Sequence, residues 1–308
     1  MDAMTVLEAR DPAEVIAGWN SRPATVRETM RNAITVDVED YFQVEAFFGV
    51  IDRESWPSRE CRIERNVERT LALFAEANVR GTFFTLAWIA ERYPQVVRAI
   101  VAGGHELASH GSEHRRADHQ SRREFFFDVS RAKSVLEDIG GVPIRGYRAP
   151  SFSVMRENLW VMEVLAEAGY RYSSSTNPIP HDNYGIPEAP RFAFHPLADD
   201  DFMEIPVTSL RWLGRNWPSG GGGYFRLLPF GMSKLALDKV RDEDQQPLVF
   251  YFHPWEIDPE QPRVEGAPLK SRLRHYTNLD RMQGKLARLL KAYRWGRMDQ
   301  IFLGGVMA

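Results

Sequence analysis

The sequence predicts an α/β fold, a distorted (β/α) barrel of parallel strands with helices outside, and three observations lead there. Strand-like apolar runs alternate with segments whose apolar residues recur at helical spacing, the pattern of strand–helix–strand units. The number of short units favours a barrel, with a doubly wound open sheet as the alternative. Four polar clusters fall just after predicted strands, where barrels carry their chemistry. The chain has 308 residues, 44% of them hydrophobic, enough for one large core.

"AITVD" (33–37) reads as the first strand and "IERNVERTLALFAEANV" (63–79) as the first helix of the alternation. "GTFFTL" (81–86) is a strand, and "PQVVRAIVAGG" (94–104) a helix opening on Pro94 and stopped by Gly103 and Gly104. After the short strand "HELAS" (105–109) comes a helix over 121–141, with Ser121 and Glu124 spaced as a capping box. "PIRGYR" (143–148) is a strand and "ENLWVMEVLAEAG" (157–169) a helix closed by Gly169. "FMEIPV" (202–207) and "LVFYFH" (248–253) read as buried strands, and "NLDRMQGKLARLLKAY" (278–293) as a late helix. Residues 1–31 read as a preamble, 32–295 as one domain with its C-terminal extension, and 296–308 as a tail.

Composition excludes several classes. A net charge of −3 offers no basic field for nucleic acid. One cysteine, Cys61, rules out an internal disulfide and a cysteine-rich zinc site, and no base adjoins it to make a nucleophile. The early acids and missing apolar core of the N-terminus argue against a secretory signal. The longest apolar runs fall short of the roughly 20 residues of a membrane span. A cytoplasmic protein without a transmembrane segment is expected. Its 8 tryptophans suit an aromatic-lined sugar cleft, but a packed core accounts for them equally well.

The four clusters are Asp37-Glu39-Asp40, "HGSEH" (110–114), "RAPS" (148–151) and "FHPWE" (252–256); parallel strands would bring them to one face. His110 and His114 are four apart and converge on one ion if their segment makes a helical turn. With a carboxylate they form a three-ligand set that leaves a coordination position for water. Arg148 can hold a carboxylate by a bidentate pair, orienting it and keeping it ionised. His253 ends an apolar strand and can serve as a general acid. "SGGGGYFR" (219–226) lacks the lysine, hydroxyl residue and following helix of a phosphate loop and reads as a flexible loop. His105, His119, His181, His195 and His275 have no partners in the pattern and default to structural or surface roles.

The ordered set of acids, HxxxH, R-x-P and apolar-strand-His-Pro resembles the polysaccharide deacetylase family, the NodB-homology group of carbohydrate esterases (family 4). "TVDVEDYF", "GHELASHGSEH", "RAPS", "PIPHDNYG", "GGGYFRLLP" and "FYFHP" together resemble the branch found in exopolysaccharide loci with exosortase A and PEP-CTERM proteins. The resemblance implies a divalent metal, usually zinc, and removal of N-acetyl groups from amino-sugars of an exopolysaccharide or a lipid-linked oligosaccharide precursor. It makes His110 and His114 metal ligands, Arg148 the residue orienting the catalytic base, and His253 the general acid. Tyr41, Pro150, Tyr184 and Trp255 fall at substrate-binding positions.

The first motif departs from the family's adjacent aspartates, and two registers stay open. Asp37 is the base with Glu39 or Asp40 as ligand, or Glu39 is the base with Asp40 as ligand. Strand alternation points residues 37 and 39 to the same face and favours the first. The family's further aspartate is also missing, with Ser173 near its place, which leaves His253 without an evident partner. An amidase acting on a small cyclic amide or ureide, as an allantoinase does, and a glycan-binding relative without catalysis are the alternatives. A non-haem iron oxygenase could use the same ligand types but belongs on an all-β scaffold.

Overall fold

The computed structural model describes residues 11–20, 23–24, 31–182, 184–198 and 201–304. The central strand β1 (Asn32–Val38) is buried along its whole length, as its β-branched residues require of a strand covered on both faces. It is followed in the chain by β2 (Thr82–Thr85), β3 (Glu106–Ser109), β4 (Gly146–Tyr147), β5 (Tyr172–Ser173) and β6 (Met203–Glu204). These six pair in sequence order, all in parallel. An antiparallel hairpin, β7 (Ser209–Trp212) and β8 (Arg215–Pro218), stands apart from the main sheet. Two late strands, β9 (Val249–Phe252) and β10 (Trp295–Gly296), return to pair with β1.

The sheet curls towards closure but does not complete it with a ladder. Between β6 and β9 the gap is bridged by irregular backbone: Thr208 N donates to Val249 O at 3.1 Å and Tyr251 N to Gly220 O at 2.8 Å. This is the distortion in the barrel. It explains the glycine run, which is a packed seam followed directly by a helix (Gly222–Leu227) and not a flexible loop. A Cβ on Gly220 would overlap Val249 O, and one on Gly221 would lie 2.8 Å from the Tyr251 ring.

Helices Ile63–Glu76, Pro94–Ala102, Arg122–Gly140, Val161–Glu167 and Leu279–Ala292 fall where helical periodicity places them. Ser121 and Glu124 cap the third of these reciprocally. The expected strands at 143–148 and 202–207 shrink to two residues each. Pro143 and Pro206 cannot donate to a ladder, which limits pairing at those ends. Residues 296–304 do not form a tail. Gly296 pairs with Ala33, and the helix Met298–Phe302 is packed into the core. Part of the preamble is also integrated: in the helix Pro12–Trp19, Trp19 is buried against Phe194. Among the described residues no helix is long and apolar enough to cross a membrane.

Candidate active site

Parallel strands direct their carboxyl ends to one rim, and the four sequence clusters meet there. On β1 and its extension Thr35, Asp37 and Glu39 alternate onto the same face. His110 follows β3 immediately, Arg148 follows β4, Ser174 follows β5 and His253 follows β9. They border a cleft of about 790 Å³ whose lining includes Asp37, Glu39, His110, His114 and His253.

One oxygen of Glu39 and one ring nitrogen from each of His110 and His114 lie within 4.8 Å of one another, all three side chains being buried. Glu39 Oε2 is 2.7 Å from His114 Nε2. His110 Nδ1 is 2.8 Å from Arg148 O, so it carries the proton and leaves Nε2 free as a donor to a cation. Burial pushes His110 down to about 4, which keeps the ring neutral at pH 7. Two imidazole nitrogens and a carboxylate converging in a buried site suit a divalent cation.

The convergence of His110 and His114 does not come from a helical turn. Gly111 and His114 both adopt left-handed backbone, φ +79° and +52°, and fold the segment back on itself. The turn is tied down by Ser112 Oγ donating to Asp128 O at 3.0 Å and by Trp88 N donating to Ser112 O at 2.9 Å.

Asp40 stands apart from the donor cluster. Its carboxylate caps the short turn Tyr41–Gln43, accepting from Tyr41 N, and also accepts from Arg62 N. Burial pushes it up to about 6 despite those donors. Of the two carboxylates left open by the sequence, only Glu39 faces the histidines. Burial also pushes the Glu39 carboxyl up, but the charges of His114 and His253 outweigh it and hold it at about 2.

Arg148 is fully buried and reaches Asp37 with a single nitrogen, Nη1 to Oδ1 at 2.7 Å, not in the bidentate pair expected. The rest of its fork is committed elsewhere: Nη1 also to Thr35 Oγ1 at 2.8 Å, Nε to Ser174 O at 3.1 Å and Nη2 to Ser174 Oγ at 2.9 Å. Its guanidinium lies 4.2 Å from the centre of the Phe84 ring. Thr35 and Ser174 were invisible as partners in the sequence, because strand pairing alone brings them to Arg148.

His253 Nε2 lies 3.4 Å from Glu39 Oε1 and 3.9 Å from Asp37 Oδ2. Its partner is Glu256, three residues on, whose Oε1 is 2.8 Å from Nδ1 and whose Oε2 accepts from Arg226 Nε at 2.6 Å. Burial alone would lower His253, but the carboxylates Glu39 and Glu256 override it and raise it to about 9. The carboxylate beside His253 is thus a local one, already present in "FHPWE".

Of the expected substrate positions, Tyr184 and Trp255 line the cleft, whereas Tyr41 and Pro150 do not. Tyr41 is buried edge-on to Phe42. Trp255 is stacked between His253 and His275 and donates to Glu39 Oε1 at 3.3 Å. His181 joins Tyr184 as a stacked pair on the cleft wall, ring centres 3.8 Å apart. His181 lies in "PIPHDNYG", one of the segments that carry the resemblance, although the histidine itself reads from the sequence as structural or surface.

Residues 55–173 match the family described as polysaccharide deacetylase, and residues 174–303 match a domain of unknown function, DUF3473. The chain is 26% identical over 87 residues to a peptidoglycan-N-acetylglucosamine deacetylase of Bacillus cereus, covering 28% of this chain and 32% of that protein. It spans about a third of the length of the curated relatives it matches. A crystal structure from Mycobacterium smegmatis described as a polysaccharide deacetylase superposes with a TM-score of 0.61 at 21% identity, covering 92% of each chain. One so described from Pseudomonas aeruginosa PAO1 gives 0.58 at 17% identity, covering 96% of this chain and 93% of that one.

Proposed function

Since the chain belongs to the polysaccharide deacetylase family, we propose that it hydrolyses N-acetyl groups on the amino-sugars of a glycan, using Asp37 as base and His253 as acid. The observation that carries this reading is the juxtaposition of the two beside the Glu39–His110–His114 donor set on one cleft. Those three residues would hold a divalent cation, in our reading zinc, which when bound makes a coordinated water more acidic and polarises the acetyl carbonyl.

Asp37 accepts a proton from the water as its oxygen bonds to the acetyl carbon. Arg148 donates to Asp37 and fixes its direction. As the C–N bond breaks, His253 delivers its proton to the departing nitrogen, giving acetate and a free amino-sugar. Glu256 holds the imidazolium in place through Nδ1 and leaves the Nε2 proton to be given. The Tyr184–His181 pair on the cleft wall offers a flat face on which a sugar ring can stack.

An exopolysaccharide or its lipid-linked precursor, met in the cytoplasm, is the substrate this reading favours. The test is acetate release from N-acetylglucosamine oligomers by protein that has been chelated and then reloaded with zinc or another divalent metal. Acetate appearing only on reloading supports the proposal. Folded, metal-loaded protein that releases none from any acetylated glycan sinks it. Turnover of a small cyclic amide instead would point to the amidase, and binding without turnover to an inactive glycan receptor.

A further inference from the structure

We propose that the face built from residues 222–237 and 266–279 docks on an anionic phospholipid bilayer, setting the mouth of the cleft at the level of the lipid headgroups. Neither segment contains an aspartate or a glutamate, in a chain whose net charge is −3. Both nonetheless expose large aliphatic side chains: Leu227 at 46%, Leu228 at 39%, Leu269 at 70% and Leu273 at 58%.

The helix Leu269–Tyr276 shows the pattern most clearly. Leu269 and Leu273 are one turn apart and form a stripe, with the exposed Lys270, Arg272 and Arg274 around it. Apolar and basic side chains together on an exposed helix fit a bilayer surface, where the leucines enter the acyl boundary and the long cationic stems reach headgroup phosphates. Asp182, 3.6 Å from Lys270, offsets one of these charges. The clustered cations are what favour an anionic lipid layer over an apolar protein partner.

The two segments are one rigid unit. Arg226, buried between them, donates to His275 O at 3.0 Å, Thr277 O at 2.7 Å and Arg274 O at 3.0 Å. The same arginine holds Glu256, so the face is mechanically continuous with the site. Tyr224, Leu227, Lys270 and Arg274 line the cleft itself, which opens directly beside the exposed leucines.

The experiment is co-sedimentation of the full chain with vesicles, without substrate, so its outcome is independent of the deacetylase reading. Vesicles of phosphatidylcholine alone are compared with vesicles containing phosphatidylglycerol, at ~0.1 M and ~0.5 M salt. The wild type should pellet with the anionic vesicles and be released by the higher salt. Leu269→Asp with Leu273→Asp should weaken binding about tenfold or more, and Arg272→Glu about fivefold. All three positions are exposed, and circular dichroism should match the wild type. Failure of the wild type to bind anionic vesicles would overturn the proposal, as would variants that bind like it. A concentration-dependent dimer that the double leucine variant dissolves would assign the face to a second copy and also overturn it.

Discussion

The Asp37–Arg148 pair and the His253–Glu256 pair both border the donor cluster, and they carry opposite signs. In the first, the reacting group is a carboxylic acid held by a buried cation; in the second, it is an imidazole that buried carboxylates hold as a cation. They also differ in reach. Asp37 and Arg148 are 111 residues apart and meet only because β1 and β4 share a sheet. His253 caps the short turn Pro254–Ile257 that carries Glu256, and distant residues enter as the brace Arg226 behind Glu256 and as Glu39 on the far side of the ring. The first pair is therefore part of the barrel's packing, whereas the second is a local device mounted on it. Changes to the first should disturb fold and activity together, and changes to the second should register first in proton affinity, with a stability cost from buried Arg226.

The largest effects separate base from ligand. Asp37→Asn should lower kcat by about 10²–10⁴-fold while bound metal, measured by elemental analysis, stays at wild-type level. Glu39→Gln should remove metal and activity together. If instead Asp37→Asn loses the metal and Glu39→Gln retains it, the roles of the two acids are exchanged.

Arg148 comes next. Arg148→Met strands Asp37, Thr35 and the Ser174 carbonyl in a closed interior and should cost about 3–5 kcal/mol in chemical denaturation, with activity lost in parallel. Arg148→Lys restores the charge but not the planar fork that serves three residues at once, so it should recover only part of either loss. Full recovery by lysine would mean that charge alone matters there, and the packing side of the comparison would fall.

For the local pair, the readout is pH. His253 acts in its protonated form, so kcat/KM should fall as pH rises through its pKa, which the neighbouring carboxylates raise to about 9. A cation on Glu39 cancels part of that rise, leaving Glu256 as the main support in the loaded enzyme. Glu256→Gln should therefore shift the alkaline limb down by about 1–3 pH units, and it should also lower the stability, because buried Arg226 loses its counter-charge. An alkaline limb that does not move would show that His253 is not the acid.

These contrasts also mark what the sequence could tell. Period and β-branching found the strands, because a strand buried on both faces has to be apolar throughout, as β1 is. Alternation separated Glu39 from Asp40, although the chain already turns past β1, with Glu39 N donating to Asp37 O at 3.0 Å. The HxxxH pair signalled its own convergence but not its means, since two left-handed residues replaced the helical turn. Thr35, Ser174 and Arg226 left no trace, because their roles depend on which strands and helices become neighbours. Glu256 was in plain view in "FHPWE", and its three-residue spacing from His253 was a readable signal. Tyr41 could not be told from a cleft residue, since an aromatic beside a catalytic motif serves a core equally well.

The smallest effect is predicted at Gly222, and it tests the same pair from behind. A Cβ there would overlap Glu256 Oε1, the oxygen that faces His253. Gly222→Ala must displace either the Glu256 carboxylate or the backbone of the seam beside β9. Crowding of this kind costs about 1–3 kcal/mol. Displacing the carboxylate should reproduce the downward shift of the alkaline limb in a weaker form, without loss of metal. Displacing only the backbone should lower the stability and leave the pH profile where it was. In Gly222→Ala the pH profile therefore separates two jobs of the glycine seam, closing the barrel and holding the partner of the catalytic histidine at its working distance.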